Sequence, residues 1–270
     1  MSGPLGASQF MYSSAAAGFY EYQIAQSMRF DKADATTLKF DITSAGDRTS
    51  WAFSTWVKIS TLPESSGNNA YRTILGSGRS GHYDYIGFFQ IDHHINWQDY
   101  LGGSTPPYGH TVAKFRDTGG WYHLVWVWDS DDSTQADRSR IYINGNRISD
   151  YSASRAVGSG DQTDINNSGR DFVIGDSAVG DNKLFDGYLA ETIFIDGGTE
   201  DFTANNFGET KNGVWIPKDP SSLTFGSNGF HLKYEDASNL GNDSSGNNND
   251  FTVNNAGADH QTLQSPTFGS

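Results

Sequence analysis

Trp51-Ala52-Phe53-Ser54-Thr55-Trp56-Val57-Lys58-Ile59 is the stretch on which the reading of the fold turns. Aromatic and β-branched residues dominate it, as in a strand. Alternate residues of a strand share a face, so Trp51, Phe53, Thr55, Val57 and Ile59 point one way. Trp56 points the other way, and both faces carry apolar surface. A strand of that kind is central and covered on both sides. Trp121-Tyr122-His123-Leu124-Val125-Trp126-Val127-Trp128 repeats the pattern, with Trp126 and Trp128 out of phase with Val125 and Val127.

Working outward, Arg140-Ile141-Tyr142-Ile143-Asn144, a turn at Gly145 and Asn146-Arg147-Ile148 read as a hairpin. Asn-Gly is a strong hairpin signal because both turn positions need positive φ. Residues 28–30, 38–40, 71–75, 85–91, 172–175, 187–195 and 230–234 also read as strands. Turn residues separate these segments, and only a short helix near 203–206 competes. The expected fold is all-β, a two-sheet antiparallel jelly-roll sandwich. Residues 93–108, 129–137 and 151–169 read as loops, and one strand is expected at 250–253. The expected organisation is an N-terminal arm (1–27), a sandwich (28–200) and a C-terminal extension (201–270) partly packed on it.

Lys and Arg number 18 against 32 Asp and Glu, a net charge of −14. That balance argues against nucleic acid and against an anionic membrane surface, both of which need clustered cations. The absence of Cys excludes disulfides, thiolate nucleophiles and Cys-bound metal. No apolar run approaches the ~18 residues of a membrane span. Met1-Ser2-Gly3-Pro4-Leu5-Gly6-Ala7 has neither a basic nor an apolar segment and does not read as a secretory signal.

Five stretches carry a resemblance: Ser27-Met28-Arg29-Phe30, Trp51 to Lys58, Gly120-Trp121-Tyr122-His123-Leu124-Val125, Arg140 to Gly145, and Phe185-Asp186-Gly187-Tyr188-Leu189-Ala190-Glu191. Their order and spacing resemble the concanavalin A-like, laminin G-like lectin domains over roughly residues 28–200. Residues 18–30, 207–218, 228–234 and 243–252 resemble laminin G-like virion proteins of marine tailed bacteriophages. This resemblance implies a virion-surface structural protein, a capsid decoration, spike or tail appendage, made in the host cytoplasm. The implied partners are other virion proteins and further copies of the chain, with a trimer as the first expectation by analogy. The alternatives are an adhesin for host surface glycan and, third, an enzyme that degrades such polysaccharide.

The aromatic residues Phe10, Tyr12, Phe19, Tyr20 and Tyr22 are the expected docking segment, because no place in a sandwich core is evident for them. His93, Trp97, Tyr100 and Tyr108 are the expected carbohydrate-binding residues, since aromatic faces stack on sugar C–H surfaces. No catalytic residue is expected. Glycosidases need two carboxyl groups about 5–5.5 or ~6.5–9.5 Å apart. Glu191 and Asp196, five apart, should face opposite ways, as should Glu235 and Asp236. No nucleophile elbow is present, and the adjacent rings of His93 and His94 diverge. No metal or cofactor is expected as a resident. Calcium is the one alternative by residue type, at Asp129, Asp131, Asp132, Asp176, Asp181 and Asp186 or in the 243–247 loop, which lacks a closing Glu.

Overall fold

The computed structural model describes residues 18–63, 70–79, 81–89, 93–100, 106–180 and 183–267. Phe10, Tyr12 and Asp181 lie outside them. The chain is an antiparallel sandwich of two eight-stranded sheets with a separate hairpin.

The first sheet runs β10 (Asn146–Ile148), β9 (Ser139–Ile143), β8 (Tyr122–Asp129), β3 (Ser50–Ile59), β13 (Gly187–Asp196), β1 (Ser27–Phe30), β18 (Gln261–Thr262). β16 (Phe230–Leu232) also pairs with β13. The second sheet runs β11 (Tyr151–Arg155), β7 (Tyr108–Lys114), β6 (His94–Tyr100), β5 (His82–Phe89), β4 (Tyr71–Arg79), β12 (Arg170–Ile174), β2 (Thr37–Ile42), β17 (Thr252–Asn254). β14 (Gly208–Lys211) and β15 (Val214–Pro217) form the hairpin. Strands from residues 230–262 thus enter both sheets.

Two expected loops contain strands. Residues 93–108 hold β6, and residues 151–169 open with β11 and then bury Val157 and residues 163–166. The expected 129–137 loop starts from a buried Asp129 and ends in a 3-10 turn at Gln135–Asp137.

Between the sheets, Trp51, Phe53, Val57 and Ile59 meet Trp126, Trp128, Ile86, Phe88 and Phe172. Trp51 lies edge-on to Trp126 at 4.8 Å and stacks on Trp128 at 6.0 Å. A buried indole wants a partner for its N–H. Trp51 donates to Thr163 Oγ1 at 3.0 Å and Trp126 to Ser139 Oγ at 3.0 Å. The residues filling the core are those the alternation assigns to it.

The opposite face of the first sheet is also buried. Ala52, Val125, Val127, Ile193 and Ile195 pack under Ala204 and Phe207. Trp56 and Ala190 pack with Ile24, Tyr22, Trp121 and Trp215. The 3-10 turn at Ala204–Asn206 and the β14–β15 hairpin form this cover. Its centre is His123, fully buried beside Trp56 at 4.6 Å. Trp215 Nε1 donates to His123 Nδ1 at 2.9 Å. An indole only donates, so Nδ1 is the acceptor and Nε2 carries the proton toward Ser54 Oγ at 2.8 Å. Burial pushes the His123 pKa down to about 3.

Part of the expected docking segment is used in this cover. The Tyr22 hydroxyl donates to Glu191 Oε1 at 2.7 Å, and its ring packs against the Trp56 cluster. Tyr22 is therefore an internal contact, contrary to the expectation of a free docking side chain. Phe19 and Tyr20 pack edge-to-face at 5.1 Å and remain half-buried. Ile24 is bonded through its backbone to Thr267 in both directions, at 3.0 Å each.

One end of the interior is polar. Asp84 on β5 lies in register with Asp99 on β6, and both are fully buried. Asp84 accepts from the backbone N–H of Ile165 at 2.8 Å and of Tyr100 at 3.2 Å. These bonds pin residues 163–166 across the end of the sandwich. Burial raises Asp84 to about 6, and burial plus the charge of Asp84 raises Asp99 well above the carboxylate range. Two buried carboxyls opposite one another cannot both ionise.

Two stability experiments follow from these contacts. Trp215→Ala should cost about 3 kcal/mol in denaturant unfolding, and Trp215→Phe only about 1, the worth of one hydrogen bond. For the acid pair, folded pKa values above the unfolded ~3.9 mean stability present below that pH and lost as pH rises through 6 and beyond. Asp99→Asn keeps a donor toward Asp84 and removes a charge. It should exceed the parent in stability at pH 8 by more than about 1 kcal/mol, with the gap closing toward pH 4.

Candidate binding groove

β10 ends the first sheet and β11 begins the second, two residues later in the chain. The edge strands diverge there and leave an open groove of about 270 Å³. Its apolar walls come from Trp97, Tyr108, Ile148, Tyr151 and Val157, and its polar groups from Gln135, Ser149, Ser154, Arg147 and Arg155. The walls follow from register. Tyr108 on β7 lies opposite Arg155 on β11, and Gly109 lies opposite Trp97. A Cβ at Gly109 would meet Trp97 Nε1 at 2.3 Å. Only glycine there lets the indole pass beneath β7 and reach the groove. The indole N–H has Tyr151 beside it and makes no hydrogen bond of ordinary geometry. Burial raises the Tyr151 pKa, against the donor effect of Trp97. Arg147 is held at the rim by Asp137 at 2.5 Å and by the Ala136 carbonyl at 2.8 Å.

Of the four residues expected to bind sugar, the fold brings Trp97 and Tyr108 into this groove and places the other two elsewhere. Trp97 is 4% exposed and packs on Trp126 at 5.8 Å, so it is a core residue showing one edge rather than an open stacking platform. Tyr100 stacks on Tyr83 at 5.1 Å, in an aromatic row with Tyr85 and Tyr71 beneath Lys183. His93 is a half-buried turn residue with φ of 55°, and its carbonyl accepts from Phe115. Arg147, Tyr151 and Arg155 are groove residues that the sequence reading did not single out. The turn at Asn144-Gly145 signals only that Asn146–Ile148 pairs back on β9; the crossing of Tyr151–Arg155 to the second sheet has no signal in the sequence.

Other reactive side chains meet elsewhere, in arrangements that tie the fold together. Ser54 and His123 are within hydrogen-bond distance, but the histidine donates to the hydroxyl and cannot take its proton. Glu191 is bonded to Tyr22 and to His231 Nε2 at 2.5 Å on the outer face of the first sheet. Asp196 instead accepts from Asp47 and Asn228 backbone N–H groups at the end of β13. The two carboxylates face apart, as their spacing suggests.

Most of the carboxylates considered for calcium are similarly engaged. Asp129 and Asp132 flank Arg140 at 3.9 and 3.5 Å, and Asp186 pairs with Arg29 at 2.8 Å. Asp176 accepts from Ser177 N–H at 2.7 Å, and Asp131 is exposed. In the 243–250 loop, Asp243 accepts from the backbone of His231, Ser245 and Asn249. Among the described residues, no group of three or more His, Asp or Glu is placed to hold a metal ion.

Comparison with known proteins bears on the fold. A putative carbohydrate-binding protein from Bacteroides ovatus aligns with a TM-score of 0.57 at 17% identity, over 86% of this chain and 59% of that one. The heptameric SAP-like pentraxin of Limulus polyphemus aligns at 0.46, 18% identical over 67% of this chain and 81% of its own. The enzymatically active domain of bacteriophage CBA120 tailspike protein 2 aligns at 0.45, 14% identical over 67% and 27%. No curated protein matches. The Laminin_G_3 family profile matches residues 30–197. With that match over more than half of its length, the chain belongs to the concanavalin A-like lectin/glucanase superfamily.

Proposed function

We propose that this chain is a non-enzymatic structural protein of a bacteriophage virion surface whose β10–β11 groove binds a saccharide. The observation carrying the binding reading is the groove, where aromatic walls stand beside convergent hydrogen-bonding groups. The virion reading rests on the resemblance of residues 18–30, 207–218, 228–234 and 243–252. A homo-oligomer docked on other virion proteins accords with the closed symmetry usual for such assemblies.

The layout supports both roles at once. β1 and β18 lie at the far edge of the first sheet from β10, so the N-terminal segment joins the fold away from the groove. A non-enzymatic role is supported by the acid pair. Asp84 and Asp99 are a close carboxyl pair of the interior, and neither side chain reaches solvent.

Removal of residues 1–17 should abolish incorporation into particles while leaving the unfolding midpoint unchanged. Removal through residue 27 should also destabilise the fold, because Tyr22, Ile24 and Ser27 are bonded into it. Particle composition and thermal melts of both truncations check this. Normal incorporation of the shorter truncation would reject the docking assignment. On host polysaccharide, saturable binding without release of reducing ends is the expected result. Tyr108→Ala should weaken that binding without changing the melt, and release of reducing ends would reject the non-enzymatic reading.

A further inference from the structure

The groove inverts the charge balance of the chain. Acidic residues outnumber basic ones 32 to 18 overall, yet Arg147 and Arg155 line the groove and no carboxylate does. The Arg147 charge is compensated by Asp137. Arg155 is exposed, and its guanidinium makes no ion pair or hydrogen bond among the described residues. An uncompensated guanidinium is complementary to a ligand that is negatively charged and rich in acceptors. A neutral sugar can accept from the guanidinium through its hydroxyls but leaves the positive charge unpaired.

Resting on the saccharide reading above, we infer that the groove selects an acidic saccharide, one bearing a carboxylate or sulfate group that pairs with Arg155 while its ring packs against Tyr108. The net charge of −14 repels a polyanion at long range. Recognition therefore depends on this short-range pairing, and Arg155 decides specificity. Its exposed position on an edge strand makes substitution there harmless to the fold.

Binding of the full chain to three probes tests this: a polyuronate, a sulfated galactan and the same galactan after desulfation. At least one acidic probe should bind about tenfold or more tightly than the desulfated galactan, the worth of a hydrogen bond to a charged group. Arg155→Gln should remove that preference, bringing acidic and neutral probes to similar affinity. Arg155→Lys should keep part of it, because the charge remains and the fork does not. Preference between uronate and sulfate identifies which oxyanion the groove takes. Equal binding of acidic and neutral probes, or an acidic preference untouched by Arg155→Gln, would overturn the inference and leave saccharide binding standing. No binding of any probe or of host polysaccharide would overturn both.

Discussion

The burial of the first sheet on both of its faces is the constraint from which the rest of the architecture follows. β3, β8 and β13 place Trp51, Phe53, Trp126 and Phe194 on one side and Ala52, Trp56, Val125 and Ile193 on the other. Exposed apolar surface of that extent is unfavourable in water, at about 25 cal/mol per Å². The inner side is met by the second sheet. The outer side has no sheet to meet, and residues from beyond β13 fold back over it, with Phe207, Trp215 and Phe225 as the main apolar contributions. The C-terminal residues therefore serve as the third layer of the fold.

That third layer determines how the N-terminal segment joins the fold. Ile24 completes the cluster around Trp56, and its backbone bonds to Thr267 bring the two ends of the described chain together beside β1 and β18. The bulge in β13 after Ala190 turns Glu191 outward to receive the Tyr22 hydroxyl. Buried polar groups in this region act as fasteners between layers: His123 joins Ser54 to Trp215, and Glu191 joins Tyr22 to His231. Each uses a side chain with catalytic chemistry, and each has its reactive lone pair or proton committed to a structural partner.

How far the sequence reveals the molecule depends on how strongly each segment alternates. β3, β8, β9 and β13 are legible because large apolar residues alternate in them, and because Asn144-Gly145 allows only a tight turn. β11 is not legible, since Tyr-Ser-Ala-Ser-Arg has one large apolar residue and lies on an edge where half the strand faces water. β6 is disguised because polar His94, Asn96 and Asp99 are buried in it, which breaks the apolar alternation. The site shares this asymmetry. Residue type points to Trp97 and Tyr108 as sugar-contacting groups, but only register shows that Gly109 opens a path for the indole. That Glu191 and Asp196 face apart is readable from their spacing. The Asp84–Asp99 pair across two strands needs the register of β5 against β6.

Membership of the superfamily constrains the scaffold more than the chemistry, since one fold carries sites of many kinds. In this chain the third layer occupies the outer face of the first sheet, and the 163–166 segment closes the carboxyl-bearing end of the interior. Both are places where a sandwich could otherwise receive a ligand. The edge between β10 and β11 stays open because two residues, Ser149 and Asp150, connect strands belonging to different sheets, and so short a connection cannot fold over the gap it creates. This edge groove is one open concavity of the fold, beside others at the end of β13 and on the outer cover. At this edge Arg147 and Arg155 stand in a chain of net charge −14, and under the saccharide reading proposed above their charge, as well as the groove's shape, would set which saccharide binds.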